Sequence, residues 1–207
     1  MEGHRIIIAD DEPQVLSTLA QLLESAGQTI VGKAATGEEA VWLNQTRDAD
    51  VVLLDLKMPG MDGLEAAQRI MSTRPVPLVI CTAYCDDETV DSAANLGVYA
   101  YIVKPCRLAD LLPTISMAIS RFLDVKLLKN EVESLEEALE NRKLMEQAKG
   151  IVMRTRCVSE EDAHRFLQRE SQRQSKPLPD LAKAIILAEK TFAATVLPAS
   201  SVSDKAA

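Results

Sequence analysis

Five short apolar runs, at residues 6–9, 30–34, 51–54, 78–82 and 100–103, limit what this 207-residue chain can fold into. Val, Ile and Leu fill them with little alternation, the pattern of strands buried on both faces. The stretches between them are amphipathic. In "PQVLSTLAQLLESAG", Val15, Leu16, Leu19, Leu22 and Leu23 recur at helical spacing, with Pro13 at the start and Gly27 at the end. Five βα units in this length predict an open, doubly wound parallel sheet with helices on both faces. Ligands of such sheets bind beyond the carboxyl ends of the strands. Aromatic residues make up only 3% of the chain, so the core is expected to be aliphatic.

The character changes after residue 107. A long helix is expected from Leu108 to about Thr155, interrupted in composition only by Pro113 and Gly150. Val125, Leu128, Val132, Leu135 and Leu139 step by three and four, the seam of a coiled coil. The seam breaks at Arg142 and resumes out of phase with Leu144, Ala148 and Ile151. About two heptads make a marginal dimer on their own, and docking of the helix on its own domain is the alternative. Two shorter helices follow. "SEEDAHRFLQRESQR" opens with Ser159 and Asp162, a variant capping box, and turns Ala163, Phe166 and Leu167 to one face. "PDLAKAIILAEKTF" packs through Leu181, Ala182, Ile185 and Ile186. Residues 193–207 are small and polar and are expected to be disordered.

Charge divides the chain. Residues 1–120 carry 8 Lys and Arg against 17 Asp and Glu, whereas residues 141–192 carry 11 against 7. An acidic body is joined to a basic module. No apolar run approaches the roughly 20 residues of a membrane span, and no secretory signal is expected. Cys81, Cys85, Cys106 and Cys157 follow no disulfide or zinc spacing; they read as buried or incidental thiols in a reducing cytoplasm.

The strand ends carry the chemistry. The first runs into Asp10 and Asp11, the third into Asp55, the fourth into Thr82 and the fifth into Lys104. In a doubly wound sheet these ends share one edge, so three carboxylates, a hydroxyl and an ammonium converge. Hard oxygen ligands of this kind suit Mg²⁺, which offsets repulsion between the acids and the charge of an incoming phosphoryl group. Taken singly, Asp10 or Asp11 could be a helix cap, Lys104 a surface charge and Thr82 a strand end. Their joint occurrence in this order is what points to a site.

With "ADDE", "LLDLKMPGMDG", "CTAY" and "YIVKP" in place, residues 1 to about 122 resemble the receiver domain of bacterial two-component response regulators. The resemblance implies a flavodoxin-like fold with strand order 2-1-3-4-5. It implies that Asp55 accepts a phosphoryl group from a sensor histidine kinase. Mg²⁺ would be held by Asp10, Asp11, Asp55 and the backbone carbonyl of Lys57, with Asp11 the more direct ligand. Thr82 would bind a phosphoryl oxygen and Lys104 would pair with it. Tyr101 matches the aromatic that swings inward as Thr82 moves, and Pro105 is expected to follow a cis peptide. Thr82 and Tyr101 would bias a two-state surface made by the helix between the fourth and fifth strands, the fifth strand and the helix after it.

The basic C-terminal part contains no strand-like run, which excludes a winged helix. Its only aromatics are Phe166 and Phe192, which excludes an RNA-recognition sheet with stacking side chains. "QAKGIVM" at 147–153, "SEEDAHRFL" at 159–167 and "DLAKAII" at 180–186 resemble the ANTAR output domain, a three-helix RNA-binding unit of antitermination regulators. The match covers about residues 138–192. Cys157-Val158 stands where a glycine is common, and residues 169–171 where small apolar residues are common. Gln147, Lys149, Gly150, Arg154, Arg165 and Arg169 are the candidate RNA contacts, against the plain reading of a solvated helix face. Gly150 in mid-helix calls for a close approach by another helix or by RNA.

The domains are expected at 1–122 (receiver), 123–140 (coiled-coil linker) and 141–192 (output), with a tail at 193–207. The expected function is non-enzymatic: a cytoplasmic response regulator, homodimeric when phosphorylated, that binds RNA hairpins in nascent transcripts to cause antitermination. The alternative is a protein–protein adaptor acting through the same helices without RNA.

Overall fold

A computed structural model describes residues 3–83, 98 and 100–196. The chain divides into two compact units, Met1–Leu128 and Lys129–Ala207.

The first unit alternates strands and helices in the order β1 (Arg5–Ala9), α1 (Pro13–Ser25), β2 (Thr29–Ala34), α2 (Gly37–Thr46), β3 (Val51–Asp55), α3 (Gly63–Thr73), β4 (Leu78–Thr82) and β5 (Ala100–Val103), then enters α4 (Leu108–Arg156). The strands pair in parallel in the order β2-β1-β3-β4-β5. The helix expected between β4 and β5 lies outside the described residues, as does Cys85.

The central strands β1, β3 and β4 are buried on both faces, which explains why they do not alternate, whereas β5 at the edge alternates buried and exposed residues. Ile7, Ala9, Val52, Leu54, Leu78 and Ile80 pack with α2 and α3 residues such as Leu43, Ala66 and Ile70. Ile6, Ile8, Leu53, Val79 and Ile102 pack on the other face with Leu16, Leu19 and Leu23 of α1 and with Leu111, Ile115 and Ala118 of α4. Helix α1 starts with Pro13 and ends in a Schellman turn. The Gln28 N–H donates to Leu23 O at 3.0 Å and the Gly27 N–H to Glu24 O at 3.0 Å, with Gly27 at φ 78°. Asp62 caps α3 by accepting from the Glu65 N–H at 2.8 Å.

The second unit contains the rest of α4, then α5 (Glu160–Gln174) and α6 (Leu178–Val196). Its core is small and aliphatic: Ala148, Val152, Ala163, Leu167, Leu181 and Ala182, with Phe166 and Ile185 against it. The coiled-coil seam ends where this core begins. Leu128, Val132, Leu135 and Leu139 are exposed, whereas Ala148 and Ile151 are buried, so the phase shift at Arg142 turns α4 toward α5 and α6.

Three expectations need correction. Helix α6 runs to Val196, so 193–196 are helical and not part of a disordered tail; residues 197–207 lie outside the described residues. Of the two close approaches expected at Gly150, by another helix or by RNA, the first is not seen among the described residues: a Cβ there would meet only the Arg154 guanidinium, at an ordinary 3.5 Å. The variant capping box is also one-sided. Ser159 Oγ accepts from the Asp162 N–H at 3.2 Å, but the Asp162 carboxylate accepts the Ser159 hydroxyl instead of reaching the Ser159 backbone.

Candidate functional site

The topology brings the strand-end residues together. Asp10 follows β1, Asp55 closes β3, Thr82 closes β4 and Lys104 follows β5. Lys104 Nζ lies 2.6 Å from Asp10 Oδ2 and 2.7 Å from Asp55 Oδ2. Asp10 and Asp55 are only 1% and 6% exposed, whereas Asp11 faces solvent. One carboxylate oxygen from each of the three acids lies within 4.8 Å of the others. The other Asp10 oxygen accepts from the Glu12 N–H at 3.0 Å, and Asp55 Oδ1 from the Leu56 N–H at 2.7 Å. Burial alone would lower the Lys104 pKa, but hydrogen bonds to Asp10 and Asp55 outweigh it and hold the ammonium above its ordinary value.

Among the described residues, one ammonium bridging two of three clustered carboxylates leaves the pocket negative. At such separations each unscreened carboxylate pair repels by about 3 kcal/mol at an effective dielectric of 20. A small divalent cation with hard oxygen ligands fits this donor set, and the exposed Asp11 marks its open side.

Around the pocket, Thr82 is buried, and the Lys104 N–H donates to its carbonyl at 2.8 Å. The Lys104–Pro105 peptide is cis. Tyr101 is 54% exposed, and Lys57 is exposed in the loop after Asp55. Gly63 is a supporting position that the motif spacing did not single out. A Cβ there would lie 2.1 Å from Asp55 O and 2.7 Å from Leu56 Cα, so only glycine lets α3 start against the backbone of the Asp55 loop. "PGMDG" held that signal in its last letter.

Of the four basic candidates in the second unit, Lys149, Arg154 and Arg165 are ion-paired. Lys149 Nζ sits 2.8 Å from Glu146 and 2.7 Å from Glu160, with 12% of its side chain exposed, and so ties α4 to α5. These bonds raise the Lys149 pKa and lower that of Glu160. Arg154 reaches Glu189 of α6 at 2.9 Å, and Arg165 pairs with Glu161. Among the described residues Arg169 makes no ion pair; its Nε–H donates to Arg165 O at 3.4 Å. Gln147, Gly150 and Arg154 line one cavity with Glu146, Ile186 and Lys190. Arg156, not among the candidates, stacks its guanidinium 4.0 Å from the Phe166 ring centroid.

Comparison with known proteins follows the same two-part division. The family model described as the response regulator receiver domain matches residues 6–116, and that of the ANTAR domain matches residues 133–186. The transcriptional regulatory protein PdtaR of Mycobacterium tuberculosis (strain ATCC 25618 / H37Rv) is 39% identical over 182 residues, covering 88% of this chain and 89% of that protein. The chain belongs to the response regulator family and carries an ANTAR output domain. Among solved structures, this response regulator is similar to a CheY-like receiver domain protein from Methanospirillum hungatei JF-1. The identity is 29% and the TM-score 0.55, over 59% of this chain and 98% of that one. It is also similar to a chain of the CheX-CheY-BeF3-Mg²⁺ complex of Borrelia burgdorferi, with 31% identity and a TM-score of 0.52 over 55% and 87%. The ANTAR match begins inside α4, so the response regulator's receiver and output parts share one continuous helix. No helix among its described residues is long and apolar enough to cross a membrane.

Proposed function

We propose that this response regulator takes a phosphoryl group onto Asp55 from a sensor histidine kinase in the cytoplasm. In that state it binds RNA hairpins in nascent transcripts through its ANTAR unit and causes antitermination. The observation that carries the reading is the Lys104 ammonium bridging the buried Asp10 and Asp55, with Asp11 open to solvent beside them. The receiver role falls to residues 1–122, the linker to 123–140 and the RNA-binding role to 141–192.

Asp10, Asp11, Asp55 and the Lys57 carbonyl would hold Mg²⁺, which when bound supplies positive charge to the phosphoryl oxygens. The solved Borrelia relative, in complex with BeF3 and Mg²⁺, supports this choice. An Asp55 carboxylate oxygen attacks the phosphorus of the kinase phosphohistidine; the P–O bond forms as the P–N bond breaks, and the imidazole leaves. Lys104 then moves its contact from Asp55 to a phosphoryl oxygen, and the Thr82 hydroxyl donates to another. The exposed Tyr101 turns inward behind Thr82. The new charge at Asp55 shifts the receiver toward a paired state in which the exposed seam of α4 closes on a second copy.

In the ANTAR unit, Gln147, Arg154, Arg165 and Arg169 are available to phosphates and loop bases. Exposed ion pairs are worth at most about 1 kcal/mol, so RNA phosphates can displace Glu189 and Glu161 from their arginines. Gly150 leaves open space beside Arg154 for RNA to approach. Lys149 is held between two carboxylates and has the weakest case as a contact.

The test uses the full chain with acetyl phosphate and Mg²⁺. Asp55 becomes labelled, Asp55→Asn does not, and the labelled protein prefers hairpin RNA to duplex DNA of similar charge. Its affinity falls with salt, with a log–log slope of about −0.7 for each single-stranded phosphate neutralised. Undiminished label on Asp55→Asn would remove the phosphoacceptor assignment. No preference for structured RNA would remove the antitermination reading in favour of a protein adaptor.

A further inference from the structure

The loop after Asp55 is tied down at both ends. The Leu56 N–H donates to Asp55 Oδ1 at 2.7 Å, and the Gly63 N–H donates to Leu56 O at 2.9 Å, so residues 56–63 close on themselves. Met58 and Met61 are buried in the cluster shared with α2 and α3, whereas Lys57, between Leu56 and Met58, is exposed. The middle of the loop meets α2. Glu38, in the first turn of that helix, accepts the Met61 N–H on Oε1 at 3.2 Å. The same oxygen would lie 3.2 Å from a Cβ at Gly60, whose φ of 79° carries the chain through a left-handed turn beside the carboxylate.

The carboxylate is presented from a fixed support. Thr36 caps α2 by accepting from the Glu39 N–H at 3.2 Å, and Glu39 accepts from the Ala35 N–H at 2.8 Å. A Cβ at Gly37 would lie 2.5 Å from Met61 O and 2.9 Å from Met61 Cβ, so the helix starts directly against the Met61 backbone. None of these contacts needs the Glu38 side chain. Glu38 is itself exposed and fills no part of the core; what it supplies is an acceptor for the N–H of a residue that is only 4% exposed. A buried N–H without an acceptor is costly, so losing Glu38 obliges the loop to open until water reaches the Met61 N–H.

We propose that Glu38 is a positioning residue for the cation site: through the Met61 N–H it sets the course of the 56–63 loop and, with it, the direction of the Lys57 carbonyl. This rests on the reading of Asp10, Asp11, Asp55 and the Lys57 carbonyl as Mg²⁺ ligands given above. A carboxylate ligand rotates about its own side-chain bonds to meet an ion, but a backbone carbonyl goes where its loop goes. The Lys57 carbonyl is therefore the donor that depends most on an outer support. Removing an outer support of a metal ligand typically weakens metal binding by about ten- to a hundred-fold. The lower end, about tenfold, is expected at Glu38, because the acids stay in place while a single carbonyl moves. The contact needs an acceptor in the right place and no charge, and glutamine keeps that acceptor in its amide oxygen.

The test is Mg²⁺ titration of the full-length, unphosphorylated protein by calorimetry at constant ionic strength. Amide hydrogen exchange at Met61 is read by NMR without the ion. Glu38→Ala weakens Mg²⁺ binding about tenfold and speeds exchange of the Met61 amide, while Glu38→Gln keeps both at the wild-type level. Glu38→Asp, which keeps the charge but shortens the reach, behaves like Glu38→Ala. The opposite pattern, with Glu38→Asp like wild type and Glu38→Gln like Glu38→Ala, would assign the effect to charge and overturn the proposal. Asp11→Ala is titrated beside them. Wild-type Mg²⁺ affinity in Glu38→Ala, with weakened binding in Asp11→Ala, removes the role of Glu38 and leaves the cation site standing, whatever the Met61 amide does. Wild-type affinity in both removes the cation site, and the proposal with it.

Discussion

Replacing Lys104 by methionine removes the ammonium that bridges Asp10 and Asp55 while keeping most of the side-chain volume. The ammonium contacts Asp10 at 2.6 Å and Asp55 at 2.7 Å, and both carboxylates are almost fully buried. Removing one partner of a buried pair costs about 3–5 kcal/mol, because the other charge stays buried and unpaired. The Lys104 side chain is 14% exposed, and water softens the loss, so about 3 kcal/mol is expected. Trp42 is the only tryptophan and lies on α2, so urea unfolding followed by its fluorescence reports the receiver unit. Two further readouts separate the electrostatic cause from a packing defect. Mg²⁺ stabilises Lys104→Met more than wild type, since the ion then replaces the positive charge that Lys104 brought to Asp10 and Asp55. The pH dependence has a definite sign. The folded Lys104 pKa lies above its ordinary value, so its contribution is fully present below that value, near 10.4 by reference, and is lost as pH rises through the folded pKa. The gap between wild type and variant is therefore full at neutral pH and narrows only in strongly alkaline solution. A variant as stable as wild type at pH 7 without Mg²⁺ would refute the account of the pocket as a charge cluster held by Lys104.

Gly63→Ala forces a Cβ to within 2.1 Å of Asp55 O; a loss of about 2–3 kcal/mol in the same urea assay is expected, with slower acetyl phosphate labelling. An unchanged midpoint would show that the α3 start does not shape the Asp55 loop. Cys157 stands at φ 54°, a left-handed conformation that favours glycine, so Cys157→Gly should stabilise the second unit by about 1 kcal/mol. Thermal melting by circular dichroism checks this, and a lower melting temperature would contradict it. Leu135→Lys puts a charge into the exposed seam and should weaken self-association of the phosphorylated protein in sedimentation. Equal monomeric sedimentation of wild type and variant would show that the seam does not pair copies.

The sequence alone determined the fold class and the place of the acidic pocket. Strand runs such as "RIIIA" and "VVLLD" are local patterns, and βα alternation leaves few topologies open. Once the strands are parallel, residues just past their carboxyl ends must share an edge, so Asp10, Asp55, Thr82 and Lys104 could be brought together without coordinates. The same local periodicity showed that the α4 seam changes phase near Arg142. Contacts between elements distant in sequence were not legible in this way. The pairing of Lys149 with Glu160 depends on how α5 crosses α4, and that of Arg154 with Glu189 on where α6 returns. The clash that forbids a side chain at Gly63, and the open space at Gly150 where a close approach by another helix or by RNA had been expected, depend on approaches of a few ångströms. Periodicity records which face a residue occupies. Only packing decides what occupies the facing position, because that depends on crossing geometry and register summed over the whole core.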